Sequence, residues 1–290
     1  MKIKTPDIFS YELCLSFLKR SPKEVLHRIE GDQVFKALLV EGKPVIFCVE
    51  EGIDCLRVTF PGPRPDASAR RLVATYVREW FDLDTDLRPF YAVAREDALL
   101  KSLIKKYRGY RIVGQPDLFE SLVWAVLGQQ INLGFAYTLK QRFVEQFGTS
   151  VSHDGRTYWI FPPPDRVATL KDEDLLPLQF SRQKSKYVRL LGEHFASGLI
   201  SKEKLRALPF DEAKQALMKI KGIGNWTANY ALMKTFRYPN AFPLEDAGVH
   251  NAIKNLKGLK EKPTLDQVKR IFKKYAGWEA YATLYLWKSL

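Results

Sequence analysis

The stretch Leu217-Met-Lys-Ile-Lys-Gly-Ile-Gly-Asn-Trp-Thr-Ala-Asn-Tyr230 decides how the rest of this 290-residue chain is read. Asp211 and Glu212 open a short helix with carboxylates, where the helix dipole favours them. That helix must stop near Ile220, because Gly222 and Gly224 are two breakers one residue apart. Ile223 between them is apolar and pins the turn to the core. A second helix is expected to begin at Asn225, read as its N-cap, and to carry Thr227, Tyr230 and Met233. Helix, tight Gly-x-Gly turn, helix: such a unit lets the backbone come close to a partner and aims free N–H groups outward, where a phosphate fits. A lone Gly-x-Gly is most often an ordinary helical corner. Here Asp246 follows in Phe242-Pro-Leu-Glu-Asp-Ala-Gly, with an aromatic pair, Trp226 and Tyr230, one helical turn apart.

The charge balance agrees with a phosphate-bearing partner. Forty-six Lys and Arg against 33 Asp and Glu leave a net charge of +13, which favours nucleic acid or an anionic surface. No run approaches the ~18 apolar residues of a membrane span, and Met1-Lys-Ile-Lys-Thr-Pro lacks the apolar core of a signal peptide. A cytoplasmic, DNA-associated protein is the expectation. Cys14, Cys48 and Cys55 have no metal-like spacing and read as buried free thiols. No C-terminal cysteine cluster exists to hold an iron–sulfur centre, and the four histidines form no pair for zinc or triad chemistry.

The fold class reads as α+β. In residues 1–100, a short helix at Leu13–Leu18 precedes three β-rich runs, 34–40, 44–49 and 55–60. Turns at Glu41–Lys43 and Glu50–Gly52 join them into an antiparallel sheet, and Asp66 caps a helix with Val73, Val77 and Trp80 on one face. Residues 101–290 read as all-helical, with nothing after Ser150 expected as sheet. Asp117 starts a helix whose Phe119, Leu122, Val123, Val126 and Leu127 form one stripe, ending at Gly128 before Gln129 and Gln130. Gln183 to Arg189 opens another helix with several basic residues, either a phosphate contact or a solvated face.

The pattern L-x-x-I-x-G-I-G-x-W-T-A-x-Y followed by Pro-x-Glu-Asp resembles the helix-hairpin-helix DNA glycosylases, with the hairpin at 217–236. It is most similar to their alkylation-repair branch, the DNA-3-methyladenine glycosylase II type, and the likeness spans nearly the whole chain. The resemblance implies a small TATA-binding-protein-like sheet domain followed by two helical lobes with the active cleft between them. It implies Asp246 as the catalytic carboxylate, and Trp226, Tyr230, Trp278, Tyr281 and Phe17 around an extruded base. It assigns DNA contacts to Gly222, Gly224, Asn225 and Thr227, and puts Gln130, with Gln129 beside it, in the gap left by the base. It also implies a monovalent cation, Na+ or K+, on backbone carbonyls near Met218, Ile220 and Ile223, and no other cofactor.

The chemistry is coherent with that assignment. Loss of a base from deoxyribose builds positive charge on the sugar, which a carboxylate stabilises while orienting water. An alkylated purine is cationic, leaves without an acid, and binds aromatic faces by cation–π attraction of roughly 0.5–2 kcal/mol per ring. Glu245 is the adjacent competitor. Where strand-nicking members of the superfamily place a lysine, this chain has Trp226, so no amine is available for a Schiff base. The expectation is a monomeric, monofunctional hydrolase acting on alkylated duplex DNA. A non-catalytic lesion-binding module is the alternative; it would need neither the aspartate nor the aromatic pair.

Overall fold

A computed structural model describes all residues from Met1 to Leu290. The chain begins with β1 (Lys2–Lys4), α1 (Tyr11–Leu18), β2 (Arg28–Glu30), β3 (Gln33–Val40), β4 (Lys43–Gly52) and β5 (Cys55–Thr59). The five strands make one antiparallel sheet in the order β1-β5-β4-β3-β2. Glu41 and Gly42, both at positive φ, form the two-residue β3–β4 turn, the geometry that matches strand twist. The β4–β5 turn is Ile53-Asp54 rather than Glu50–Gly52, because β4 continues until Gly52 pairs with Cys55. The edge strands β1 and β2 were not expected; three residues are too few to show an alternation. Helix α2 (Ala67–Trp80) starts at Asp66, whose carboxylate accepts from the Ala69 amide at 2.8 Å. Its Val73, Val77 and Trp80 pack with Phe47, Leu56 and Val58 to form the sheet's own core.

Helices then take over: α3 (Arg88–Ala94), α4 (Lys101–Lys106), α5 (Leu118–Gly128) and α6 (Leu133–Phe147). After a hairpin come α7 (Pro164–Ala168), α8 (Asp172–Leu175), α9 (Arg182–Ala196), α10 (Lys202–Arg206) and α11 (Phe210–Met218). The last four are α12 (Asn225–Ala231), α13 (Ala247–Lys257), α14 (Leu265–Phe272) and α15 (Glu279–Lys288). One hydrophobic core runs from Leu87 to Leu286 through them, and Phe17 packs against both this core and that of the sheet. The expected order, antiparallel sheet then helical domain, holds.

The hairpin corrects the expectation of no sheet beyond Ser150. Strands β6 (Thr149–His153) and β7 (Arg156–Ile160) pair antiparallel around Asp154-Gly155, both at positive φ. Asp-Gly between alternating residues is a hairpin signal in its own right. Tyr158 and Ile160 bury against Phe35, Ala37, Ile46 and Cys48, so the hairpin covers the sheet face away from α2. No helix is long and apolar enough to cross a membrane.

Candidate active site

Helix α11 ends at Met218, and the turn before α12 is built on Gly222, whose φ is +97°. A Cβ there would lie 2.5 Å from ring carbons of Tyr187 on α9. Gly222→Ala should therefore destabilise the fold by about 2–5 kcal/mol, combining left-handed strain with overpacking. Urea unfolding checks this, and a change within error would show that the Tyr187 ring moves aside freely. Gly224, not Asn225, is the N-cap of α12. Asn225 is the first helical residue, and its amide group donates to both oxygens of Glu245 at 2.9 and 3.0 Å. The backbone N–H groups of Asn225, Trp226 and Thr227 have no backbone acceptor, as expected of a helix start, and Gly224 faces open space.

The Gln129-Gln130 turn after α5 is fastened to this hairpin. Gln129 donates to the Gly222 carbonyl at 3.0 Å and to the Thr227 hydroxyl at 3.1 Å, so its side chain braces the turn from inside. Lys184 on α9 donates to the carbonyls of Val126 and Gln129, at 3.1 and 2.6 Å. Through Lys184 the basic start of α9 thus positions this turn, which is neither a phosphate contact nor a solvated face. Gln130 is exposed, with φ +58°.

Asp246 lies opposite, as the N-cap of α13. Its Oδ1 accepts from the Val249 amide at 2.9 Å and the Trp287 indole N–H at 2.7 Å, and its Oδ2 accepts from the Trp226 indole N–H at 2.9 Å. Three donors from three elements fix one rotamer. Gly248 is needed beside it, because a Cβ there would come within 3.0 Å of both Asp246 Oδ1 and the Trp287 ring. Asn229 ties the hairpin to the same loop: its side chain donates to the Asn225 carbonyl and accepts from the Phe242 amide, both at 2.9 Å.

The aromatic wall continues from there. Trp226 and Tyr230 are stacked, with centroids 5.1 Å apart and an interplanar angle of 19°. Trp226 is half-buried and Tyr230 buried. The Tyr230 hydroxyl accepts from the Trp124 indole at 3.0 Å, and Trp124 packs on Tyr137 with centroids 4.8 Å apart. Phe17 lines the same crevice as Tyr230, between the sheet domain and the helices. Two cations lie by its ring: the Arg20 guanidinium at 4.0 Å and the Lys234 ammonium at 4.5 Å.

The two tail residues expected at the pocket, Trp278 and Tyr281, both pack on Phe90, at 5.9 and 5.5 Å. Tyr281 is fully buried and donates to Asp82. Burial pushes the Asp82 carboxyl up to about 6, against the hydrogen bonds of Thr85 and Tyr281. On α15, residues 278, 281 and 285 share one face, whereas Trp287 is turned about 200° from Tyr285, toward Asp246. Trp287, Trp124, Gly248 and Lys184 are the site residues the sequence did not reveal. The one available signal was that Trp287 stands off the stripe of the other tail aromatics.

Residues 123–277 match the family described as HhH-GPD superfamily base excision DNA repair protein. Residues 18–122 match the 8-oxoguanine DNA glycosylase N-terminal domain. A DNA-3-methyladenine glycosylase of Bacillus subtilis is 42% identical over 99% of this chain and 96% of its own length. The solved 3-methyladenine DNA glycosylase from Archaeoglobus fulgidus shares the fold, with a TM-score of 0.87 over 99% of this chain and 97% of that one, at 22% identity. The Schizosaccharomyces pombe 3-methyladenine DNA glycosylase, solved with abasic DNA, is 27% identical and covers 68% of this chain and 93% of its own, with a TM-score of 0.58. With the hairpin, the fixed aspartate and the aromatic wall in place, the chain belongs to the HhH-GPD superfamily of base excision DNA repair proteins, in its DNA-3-methyladenine glycosylase branch.

Proposed function

We propose that this protein is a monofunctional DNA N-glycosylase that draws an alkylated purine, of the 3-methyladenine or 7-methylguanine type, out of duplex DNA and hydrolyses its glycosidic bond. The observation that carries this is the Asp246 carboxylate, fixed by Trp226, Trp287 and Val249 beside the stacked Trp226–Tyr230 pair. A base outside the stack needs a flat apolar surface, and Trp226 offers one in contact with the carboxylate. As the base departs, Asp246 faces the positive charge growing on the sugar and orients the attacking water. Because its rotamer is already set, no reorganisation is needed at that moment.

The hairpin is the strand anchor in this reading. The free amides that follow Gly224 take a phosphate without reading sequence, Gln130 enters the gap in the duplex, and the protein acts as a monomer. The carbonyls of Met218 and Ile223 accept no turn amide, and that of Ile220 accepts one, from Ile223 at 3.0 Å. These oxygens suit a monovalent cation, which would stiffen the turn.

The placement of the amines supports hydrolysis without strand cleavage. Of the lysines in the crevice, Lys36 donates to the Leu26 carbonyl, Lys140 to Glu24 and Glu120, and Lys234 to the Val113 carbonyl. Each of the three is held by an acceptor of the protein itself. On methylated duplex DNA the protein is expected to release free methylpurine and leave the abasic strand intact, with no covalent adduct on borohydride treatment. A trapped adduct would overturn the monofunctional reading, and binding without any release would favour a lesion-binding module.

A further inference from the structure

Helices α3 and α4 present two basic faces to one another, away from the site just described. Arg88, Tyr91, Ala92 and Arg95 recur at helical spacing on and just beyond α3, and Lys101, Ile104, Lys105 and Arg108 do so on and just beyond α4. Together with Ile8 they line an open groove of about 510 Å³, its floor made of Ile8, Tyr91, Ala92 and Ile104. All five cations are exposed, and no carboxylate lines the groove. Arg88 and Arg95 pair with Asp86 and Glu96 at exposed positions, so the uncompensated charge of the groove is that of the α4 row. Lys101, Lys105 and Arg108 make no ion pair; Arg108 lies over the Tyr91 ring at 5.5 Å.

The groove is separated from the catalytic carboxylate by α15. On one side of that helix Tyr285 shares a 2.6 Å hydrogen bond with Tyr91 and donates to the Tyr107 carbonyl at 3.0 Å. Two residues on, and about 200° around, Trp287 donates to Asp246. A helix with its side chains is about 10–12 Å across, so an anion in the groove is not in the base pocket.

We propose that this groove is a second DNA-backbone contact, which takes phosphates of undamaged duplex independently of the hairpin. Its chemistry is that of a polyanion track: cations in two rows, an apolar floor, no base-reading amide. Each row spans roughly 10 Å, which faces about three phosphates of one strand at 3.4 Å of axis per charge. Such a contact is blind to sequence and to damage, so it holds the protein on DNA between lesions. The choice of DNA as the polyanion rests on the glycosylase reading; the groove itself does not.

The test uses the full chain in the variant Lys101→Gln/Lys105→Gln/Arg108→Gln. The control variant, Lys43→Gln/Arg64→Gln/Arg71→Gln, removes the same charge from exposed positions around the sheet domain. Affinity for a long undamaged duplex is measured against salt, and methylpurine release is measured on a duplex of about one helical turn. The groove variant is expected to flatten the log–log salt slope by about 2 to 3, at ~0.9 per lost phosphate contact. The control should keep the wild-type slope, and release from the short duplex should be equal in all three proteins. An unchanged slope in the groove variant, or an equal flattening in the control, would overturn the proposal. Failure of the wild type to release base would count against the glycosylase reading alone, because the slope is read on undamaged DNA.

Discussion

Asp246→Asn is expected to lower base release from alkylated duplex DNA by about 10²- to 10⁴-fold, with binding to abasic-site DNA nearly unchanged. The substitution keeps the shape and the cap: asparagine is as good an N-cap as aspartate, and its oxygen retains the Val249 and Trp287 donors. What it loses is the negative charge that, in the proposed mechanism, faces the sugar. It also turns an N–H₂ toward the Trp226 indole N–H, donor against donor, at a cost of about 1–3 kcal/mol in stability. Activity and thermal melting are measured together, so that a folding defect is visible as one. Release within a few-fold of wild type by a folded variant would remove Asp246 from the chemistry.

The second large effect is expected far from the carboxylate. Lys140→Met should cost about 3–5 kcal/mol of stability, because it strands two buried carboxylates. Lys140 on α6 donates to Glu24, from the sheet domain, at 3.0 Å and to Glu120, on α5, at 3.3 Å, and all three side chains are at most 10% exposed. The ion triad therefore bolts the sheet domain to the helical one in the wall of the crevice. Burial alone would raise the Glu24 carboxyl, but Lys140 and His27 outweigh it and hold it down at about 2. Burial pushes neighbouring His27 down to about 4, against the pull of Glu24.

Both groups bind protons less readily folded than unfolded, so the sign of the pH effect is fixed. The His27 contribution is whole above its ordinary value of 6.5 and is lost as pH falls from there toward 4. That of Glu24 is whole above 4.5 and is lost toward 2. The melting temperature should thus begin to fall below about pH 6.5, steepening below pH 4.5, and His27→Gln should remove the upper part of that decline. In Lys140→Met the Glu24 carboxyl loses its main partner, so acid should destabilise that variant less than wild type below pH 4.5. Parallel melting curves for the two proteins across this range would show that the triad does not join the domains.

What the sequence by itself determined is what chain-local geometry controls. Gly222 sets the hairpin because its φ of +97° lies in the left-handed region that glycine adopts at little cost. Asp66, Asp117 and Asp246 cap helices because a short carboxylate reaches the amide three residues on. Trp226 and Tyr230 share a face because they are four residues apart on one helix. Tertiary packing alone decided which distant groups meet. The tail of α15 is aromatic on more than one face, so its pattern does not tell Trp287, which reaches Asp246, from Trp278 and Tyr281, which pack on Phe90. Nor does a glutamine's place in sequence tell whether it stays exposed, as Gln130 does, or braces the hairpin, as Gln129 does. Lys140, Lys184 and the docking of Tyr158 and Ile160 on the first sheet follow the same rule. Each acts through contacts between segments far apart in the chain, and no spacing along a single element encodes such a contact.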